Sequence, residues 1–251
     1  MDQWKNRIAV VTGASSGIGA AVAKDLVKAG MVVVGLARRV NQVEALKNDL
    51  PDELQKNLHS MQCDVSNEED IVRVFSLVIE KFNGIDVLIN NAGVGSALGN
   101  DLIASDNTAS IRKILDTNVL GLVFCTREAY KSMEKHGRNS HVIHINSIVG
   151  QKNFNDFLPA RSRNMYTPSK CAVTAITEIH RQEFIRSKHH IKVTSISPGL
   201  VRTELPPKSF IEENSAILEP QDISQSILYV LGTPPHVQVH ELTVKPFGET
   251  F

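Results

Sequence analysis

Short apolar runs rich in β-branched residues alternate with stretches of helical periodicity along this chain, and that alternation limits its fold most tightly. The first run, residues 7–12 (RIAVVT), has no period-two polarity and reads as a strand buried on both faces. Further strands are read at 31–36, 58–63, 85–89, 140–146 and 191–196, and a seventh lies within 237–244. Between them, periodicity predicts helices over 20–29, 43–50, 66–82, 108–135, 166–187 and 220–231. Ser66-Asn67-Glu68-Glu69 reads as the capping box that opens the third of these. A length of 251 residues suits one large α/β domain or two small ones. No linker, repeat or low-complexity tract interrupts the pattern, so the expectation is a single domain over 1–251. Its architecture is a doubly wound, seven-stranded parallel sheet flanked by helices.

The glycine-rich turn after the first strand narrows this further. Gly13-Ala14-Ser15-Ser16-Gly17-Ile18-Gly19 joins a buried strand to a helix, and Gly30 stands where that helix should end. Such a turn lets the backbone approach a pyrophosphate, whose charge then sits at a helix N-terminus. The spacing is Gly-x-x-x-Gly-x-Gly, not the commoner Gly-x-Gly-x-x-Gly. The second strand ends in Ala37-Arg38-Arg39, where an NAD-binding unit places an acidic residue for the ribose hydroxyls. Two guanidinium groups there suit a 2′-phosphate, so the cofactor expected is NADP(H). Asp64-Val65 after the third strand is a candidate adenine contact. Asn90-Asn91-Ala92-Gly93 ends the fourth strand where ligands bind in open α/β sheets, with Asn90 also suited to bonding neighbouring strands.

The second half carries candidate chemistry. Tyr166-Thr167-Pro168-Ser169-Lys170 sets a phenol and an ammonium four residues apart, on one face if a helix starts here. A free tyrosine titrates near ~10, and a nearby positive charge with a helix N-terminus favours its phenolate. Such a tyrosine exchanges a proton with a substrate oxygen, which suits alcohol–carbonyl interconversion. Alone, Tyr-x-x-x-Lys usually marks only an amphipathic helix start. Asp116-Thr117-Asn118 is a costly insertion in a helix unless Asn118 has a task. Ser147 ends the fifth strand, and Pro198-Gly199 closes the sixth, with Val201 and Thr203 just beyond.

Composition excludes several other classes. Lys+Arg and Asp+Glu stand at 27 each, so no net field draws in nucleic acid or an anionic membrane. Three scattered cysteines suit a reducing compartment and neither a disulfide framework nor a zinc site. No apolar run approaches ~18 residues, so no membrane span is expected, and Met1-Asp2-Gln3-Trp4-Lys5 lacks a signal pattern. The expectation is a soluble, cytoplasmic protein without a metal. His141 and His144, three apart on a strand, point to opposite faces and suit ordinary core positions. Cys171 reads as helix packing, and His189-His190 and Arg161 and Arg163 as solvated loops.

Taken in order, Thr12-Gly13-x-x-x-Gly17-x-Gly19, Asn90-Asn91-Ala92-Gly93, Asn118, Ser147, Tyr166-x-x-x-Lys170 and Pro198-Gly199 resemble the short-chain dehydrogenase/reductase family over nearly the whole chain. The resemblance implies a single Rossmann domain and an NADP(H)-dependent oxidoreductase. It implies that Tyr166 is the acid/base, that Lys170 lowers its pKa and bonds the nicotinamide ribose, and that Ser147 orients the substrate oxygen. Asn118 is then expected to hold a proton-relay water. Gly13, Ser15, Ser16, Gly17, Ile18, Gly19, Arg38, Arg39, Asp64, Val65, Asn91, Ala92, Gly93, Pro198, Gly199, Val201 and Thr203 are expected around the cofactor. Met1-Asp2-x-Trp4, Cys125-Thr126-Arg127-Glu128-Ala129-Tyr130 and Thr233-Pro234-Pro235-His236-Val237-Gln238 further resemble an animal branch with insect farnesol-dehydrogenase-like enzymes and a vertebrate keto-steroid reductase. That branch implies a bulky apolar alcohol or carbonyl, most simply a farnesol-like terpenoid. The alternatives are a steroid or general carbonyl reductase, a non-catalytic nucleotide sensor and a carrier of apolar molecules. Phe154, Phe157, Leu158, Leu205, Phe210 and Ile211 are candidate walls of the substrate mouth. Family members pair through the helices corresponding to 108–135 and 166–187, which implies a homodimer or homotetramer.

Overall fold

The computed structural model describes residues 1–95, 101–151, 164–213 and 215–249. In chain order the elements are β1 (Ile8–Thr12), α1 (Gly17–Lys28), β2 (Val32–Ala37), α2 (Val40–Ala45), α3 (Asp52–Gln55), β3 (Leu58–Gln62), α4 (Glu68–Phe82) and β4 (Val87–Asn90). There follow α5 (Thr108–Leu115), α6 (Gly121–His136), β5 (Ser140–Ile145), α7 (Tyr166–Ser187), β6 (Ile191–Pro198), α8 (Lys208–Glu213), α9 (Pro220–Leu231) and β7 (Glu241–Val244). The strands form one sheet in the order β3-β2-β1-β4-β5-β6-β7, every neighbouring pair parallel. Chain direction across the sheet reverses between β1 and β4. That switch point is where a crevice opens at the C-terminal ends of the strands.

Every residue of β1 is buried, as the unbroken apolar run predicts. Ala9 and Val11 join the core layer under α1 and α9, with Val22, Leu26, Ile223 and Ile227. Ile8 and Val10 face the opposite layer, with Ile71 and Phe75 of α4 and Met133 of α6. Fully burying one such side chain stabilises the fold by about 1.5–3 kcal/mol, so both faces hold the strand in register. Trp4 anchors the N-terminal segment, its Nε1 donating to the Leu231 carbonyl at 2.7 Å.

Several elements differ from the sequence expectation, each for a local reason. The helix expected over 43–50 begins at Val40 and gives way to a 3-10 turn, Leu46–Asp49. Asn48 and Asp49 are weak helix formers, and Leu50 is held extended before Pro51. The third long helix is capped by Asn67, not Ser66, because Asn67 Oδ1 accepts from the Asp70 amide. No reciprocal box forms there: Asp70 accepts from the Asp64 amide at 2.7 Å, and the Ser66 hydroxyl donates to Asp64. The long helix expected over 108–135 contains a π-helical turn, Asp116–Leu120, between α5 and α6. Of residues 237–244 only the last four pair as β7; the preceding stretch is tied to β6 through Lys192, Thr194 and Gln238 side chains. His141 and His144 are buried core residues, bonded to Thr194 and to Asn90 and His180. Among the described residues no helix is long and apolar enough to cross a membrane.

Candidate active site

A cleft of about 1120 Å³ opens at the switch point. Its floor is built first by glycine. Gly13 (φ +67°) and Gly17 (φ +55°) adopt left-handed backbone that other residues resist, and a Cβ on Gly13 would lie 2.8 Å from Ala92 Cα. Gly19 serves differently: it is absent from the lining, and a Cβ there would lie 2.3 Å from the Gly13 carbonyl. It lets α1 pack against the turn and makes no room for a ligand. Ser16 is the N-cap of α1 but its side chain does not cap, which leaves the first amides of the helix for another acceptor.

Every predicted site residue except Gly19 and Asn118 lines this one cleft. Asn91 and Asp64 reach it with their side chains already committed. Asn91 Nδ2 donates to the carbonyls of Thr12 (3.0 Å) and Gly13 (3.2 Å), tying the end of β4 to the glycine turn. Asp64 accepts from the Ser66 amide and hydroxyl. Asn118 is buried behind the cleft wall. Its Oδ1 accepts from the Val94 amide at 2.9 Å, while its Nδ2 donates to the Val94 carbonyl and to Ser169 Oγ. The side chain fastens the strand-end loop to α7. Asn90 donates to His144 on the neighbouring strand β5, as expected, and also to Thr126 on α6.

Tyr166 is the first residue of α7, where Asn164 Oδ1 accepts its amide at 2.9 Å. Pro168 falls among the first-turn positions that need no intrahelical donor, and Lys170 follows one turn on. The Lys170 ammonium donates to the Ile145 carbonyl at 2.8 Å and stands 5.7 Å from the centre of the Tyr166 ring. Burial pushes the Tyr166 phenol up to about 12, opposed by a hydrogen bond with Ser147. This corrects the expectation of a lowered tyrosine pKa. Burial also takes Lys170 down to about 8. Ser147, extended after β5, holds its hydroxyl beside the phenol.

The mouth has features that local sequence does not announce. Arg39 Nη2 donates to Ser15, Ser16 and Glu204, whereas Arg38 is exposed at the rim. Leu205, Pro206 and Pro207 also line the cleft with Val94 and Gly95, Leu205 lying against Gly95. Ile211 is partly buried but not part of the lining. Phe154, Phe157, Leu158, Arg161 and Arg163, and the side chain of Phe210, lie outside the described residues.

A parallel switch-point cleft joining a glycine-rich phosphate turn to a tyrosine, serine and lysine defines a dinucleotide-dependent oxidoreductase of the α/β class. The family model of the short chain dehydrogenases matches residues 7–214, and the chain belongs to that family. It is 59% identical to the farnesol dehydrogenase of Aedes aegypti over 251 residues, all of both chains. It is 42% identical to dehydrogenase/reductase SDR family member 11 of Mus musculus, covering 98% of this chain and 96% of the other. A serine dehydrogenase solved in its closed form with NADP+ superposes with a TM-score of 0.84 at 29% identity, over 97% of this chain and 96% of that one.

Proposed function

We propose that this chain uses NADP(H) to interconvert an apolar alcohol with its aldehyde or ketone, on a long terpenoid alcohol of the farnesol type. The observation that carries the chemistry is the convergence of Tyr166, Ser147 and Lys170 on the cleft that the glycine turn and Arg39 also line. The residues fit the cofactor. The α1 N-terminus has uncapped amides beside the lining residues Gly13 and Gly17, and Arg39 with Ser15 and Ser16 forms an anion-binding corner. NADP(H) held there would supply hydride-transfer chemistry for the carbon that bears the substrate oxygen.

The remaining work falls to the chain. Below about 12 Tyr166 is a phenol, ready to donate its proton to a carbonyl oxygen; in the reverse direction its phenolate takes the proton of the alcohol. Ser147 holds the same oxygen in line. Lys170, charged below about 8 and anchored on Ile145, stabilises negative charge as the phenol gives up its proton. Val94, Leu205, Pro206 and Pro207 in the cleft lining support an apolar substrate, as does full-length similarity to the Aedes enzyme.

The test is kcat/KM across a series of primary alcohols of rising length, ending in farnesol. A methylene buried in an apolar pocket contributes about 0.8 kcal/mol, so the ratio should climb roughly threefold to fourfold per carbon. A flat or falling trend rejects the long apolar substrate. In the same assay Tyr166→Phe should lower turnover by about 10²–10⁴-fold while NADPH still binds; near-normal turnover rejects the acid/base role.

A further inference from the structure

Arg39 does not stand free at the mouth of the cleft. Its Nη2 lies 2.8 Å from Glu204 Oε2, 3.1 Å from Ser16 Oγ and 3.3 Å from Ser15 Oγ. The Ser16 hydroxyl donates to the same carboxylate oxygen at 3.2 Å. Glu204 comes from across the cleft, on the segment that leaves β6. Beside it, Thr203 closes over the glycine turn, so that a Cβ on Gly17 would lie 3.0 Å from Thr203 Cγ2. One carboxylate thus fastens the segment after β6 to the anion-binding corner. A guanidinium and a serine hydroxyl converging on one oxygen are the donors that a phosphate oxygen takes.

We propose that Glu204 is a specificity-determining residue: its carboxylate occupies the anion place made by Arg39 and Ser16 and yields it to the 2′-phosphate of NADP(H). This inference rests on the NADP(H) reading above. The pair is exchangeable because it faces water, with 49% of the Arg39 side chain and 64% of the Glu204 side chain exposed. A phosphate monoester carries ≈ −1.5 to −2 charge at neutral pH and offers more acceptor oxygens than a carboxylate. Phosphate therefore displaces Glu204, whereas a nucleotide without the 2′-phosphate leaves the bridge closed. Leu205, the next residue, lines the same cleft beside Gly95, with Pro206 and Pro207 following. The same exchange therefore releases the segment that borders the substrate.

Calorimetry on the intact chain can separate the ideas, with adenosine 2′,5′-bisphosphate and 5′-AMP as probes. Glu204→Gln keeps the shape and removes the competing charge. It should bind the bisphosphate roughly twofold to fivefold more tightly than wild type and 5′-AMP equally. Adding Arg39→Ala should abolish that gain. An unchanged or weaker affinity in Glu204→Gln, where wild type still prefers the bisphosphate, overturns the competition and makes Glu204 a support for the arginine. A gain that persists without Arg39 overturns it too. If neither protein distinguishes the two probes, the NADP(H) reading fails along with the inference built on it.

Discussion

At the scale of single residues, burial outweighs the charge pairing that the Tyr166–Lys170 spacing suggests. The ammonium donates to Ile145 and stands 5.7 Å from the ring centre, while the surrounding wall penalises both charged forms. The signs follow. Lys170 keeps its charge below about 8, not up to its ordinary value of 10.5. Because the unfolded chain holds that proton to higher pH, the lysine adds stability as pH rises from about 8 towards ~10. Tyr166, with its pKa raised, acts in the opposite sense only as pH climbs from ~10 to about 12. Carbonyl reduction loses its supporting charge over the first interval, so kcat/KM with NADPH should fall through an apparent pKa near 8. Lys170→Arg, which stays charged, should remove that limb from the pH profile. A wild-type limb at 10 or above would contradict the lowered lysine.

At the scale of elements, the π turn Asp116–Leu120 explains a residue that helix propensity alone marks as misplaced. It sets Asn118 inward to hold both backbone groups of Val94, and π turns recur where a helix serves a site. Just beyond, Gly121 brings α6 against the end of β3, and a Cβ there would lie 2.4 Å from the Val65 carbonyl. Neither backbone yields cheaply. Gly121→Ala should destabilise the fold by about 1–3 kcal/mol and weaken NADPH binding, since Val65 lines the cleft. Urea unfolding and fluorescence titration measure the two effects. Wild-type values in both would show that the approach is not tight. The strand before the Gly13–Gly19 turn, the helix after it and the start of α7 were readable because the turn residues and the apolar period sit side by side. The shifted cap at Asn67 was not, because Asp70 bonds to Asp64 instead of closing a box.

At the scale of the whole molecule, three large apolar side chains stand exposed on the π turn and α7, among polar neighbours such as Glu178, Gln182, Glu183 and Arg186. Leu120 is 44% exposed, Ile179 55% and Ile185 70%. Scattered apolar residues are ordinary on a surface, but these lie on the helices that the family resemblance assigns to subunit pairing. We expect a homodimer or homotetramer, with Ile179→Glu shifting the population towards monomer. Light scattering at micromolar concentration decides it, and a monomeric wild type rejects the assembly.

The sequence by itself determined the alternation of strands and helices, the parallel sheet, the glycine turn and the positions of Ser147, Tyr166 and Lys170. Those features rest on contacts within a few residues or on the period with which apolar side chains recur. Tertiary structure alone decided the rest. It joined Arg39 to Glu204, 165 residues away, and Asn118 to Val94 and Ser169. It packed Gly19 on the Gly13 carbonyl and reversed the expected shift of Tyr166. Hydrogen bonds and desolvation depend on what the folded chain brings within a few ångströms, and spacing along the chain does not encode that distance.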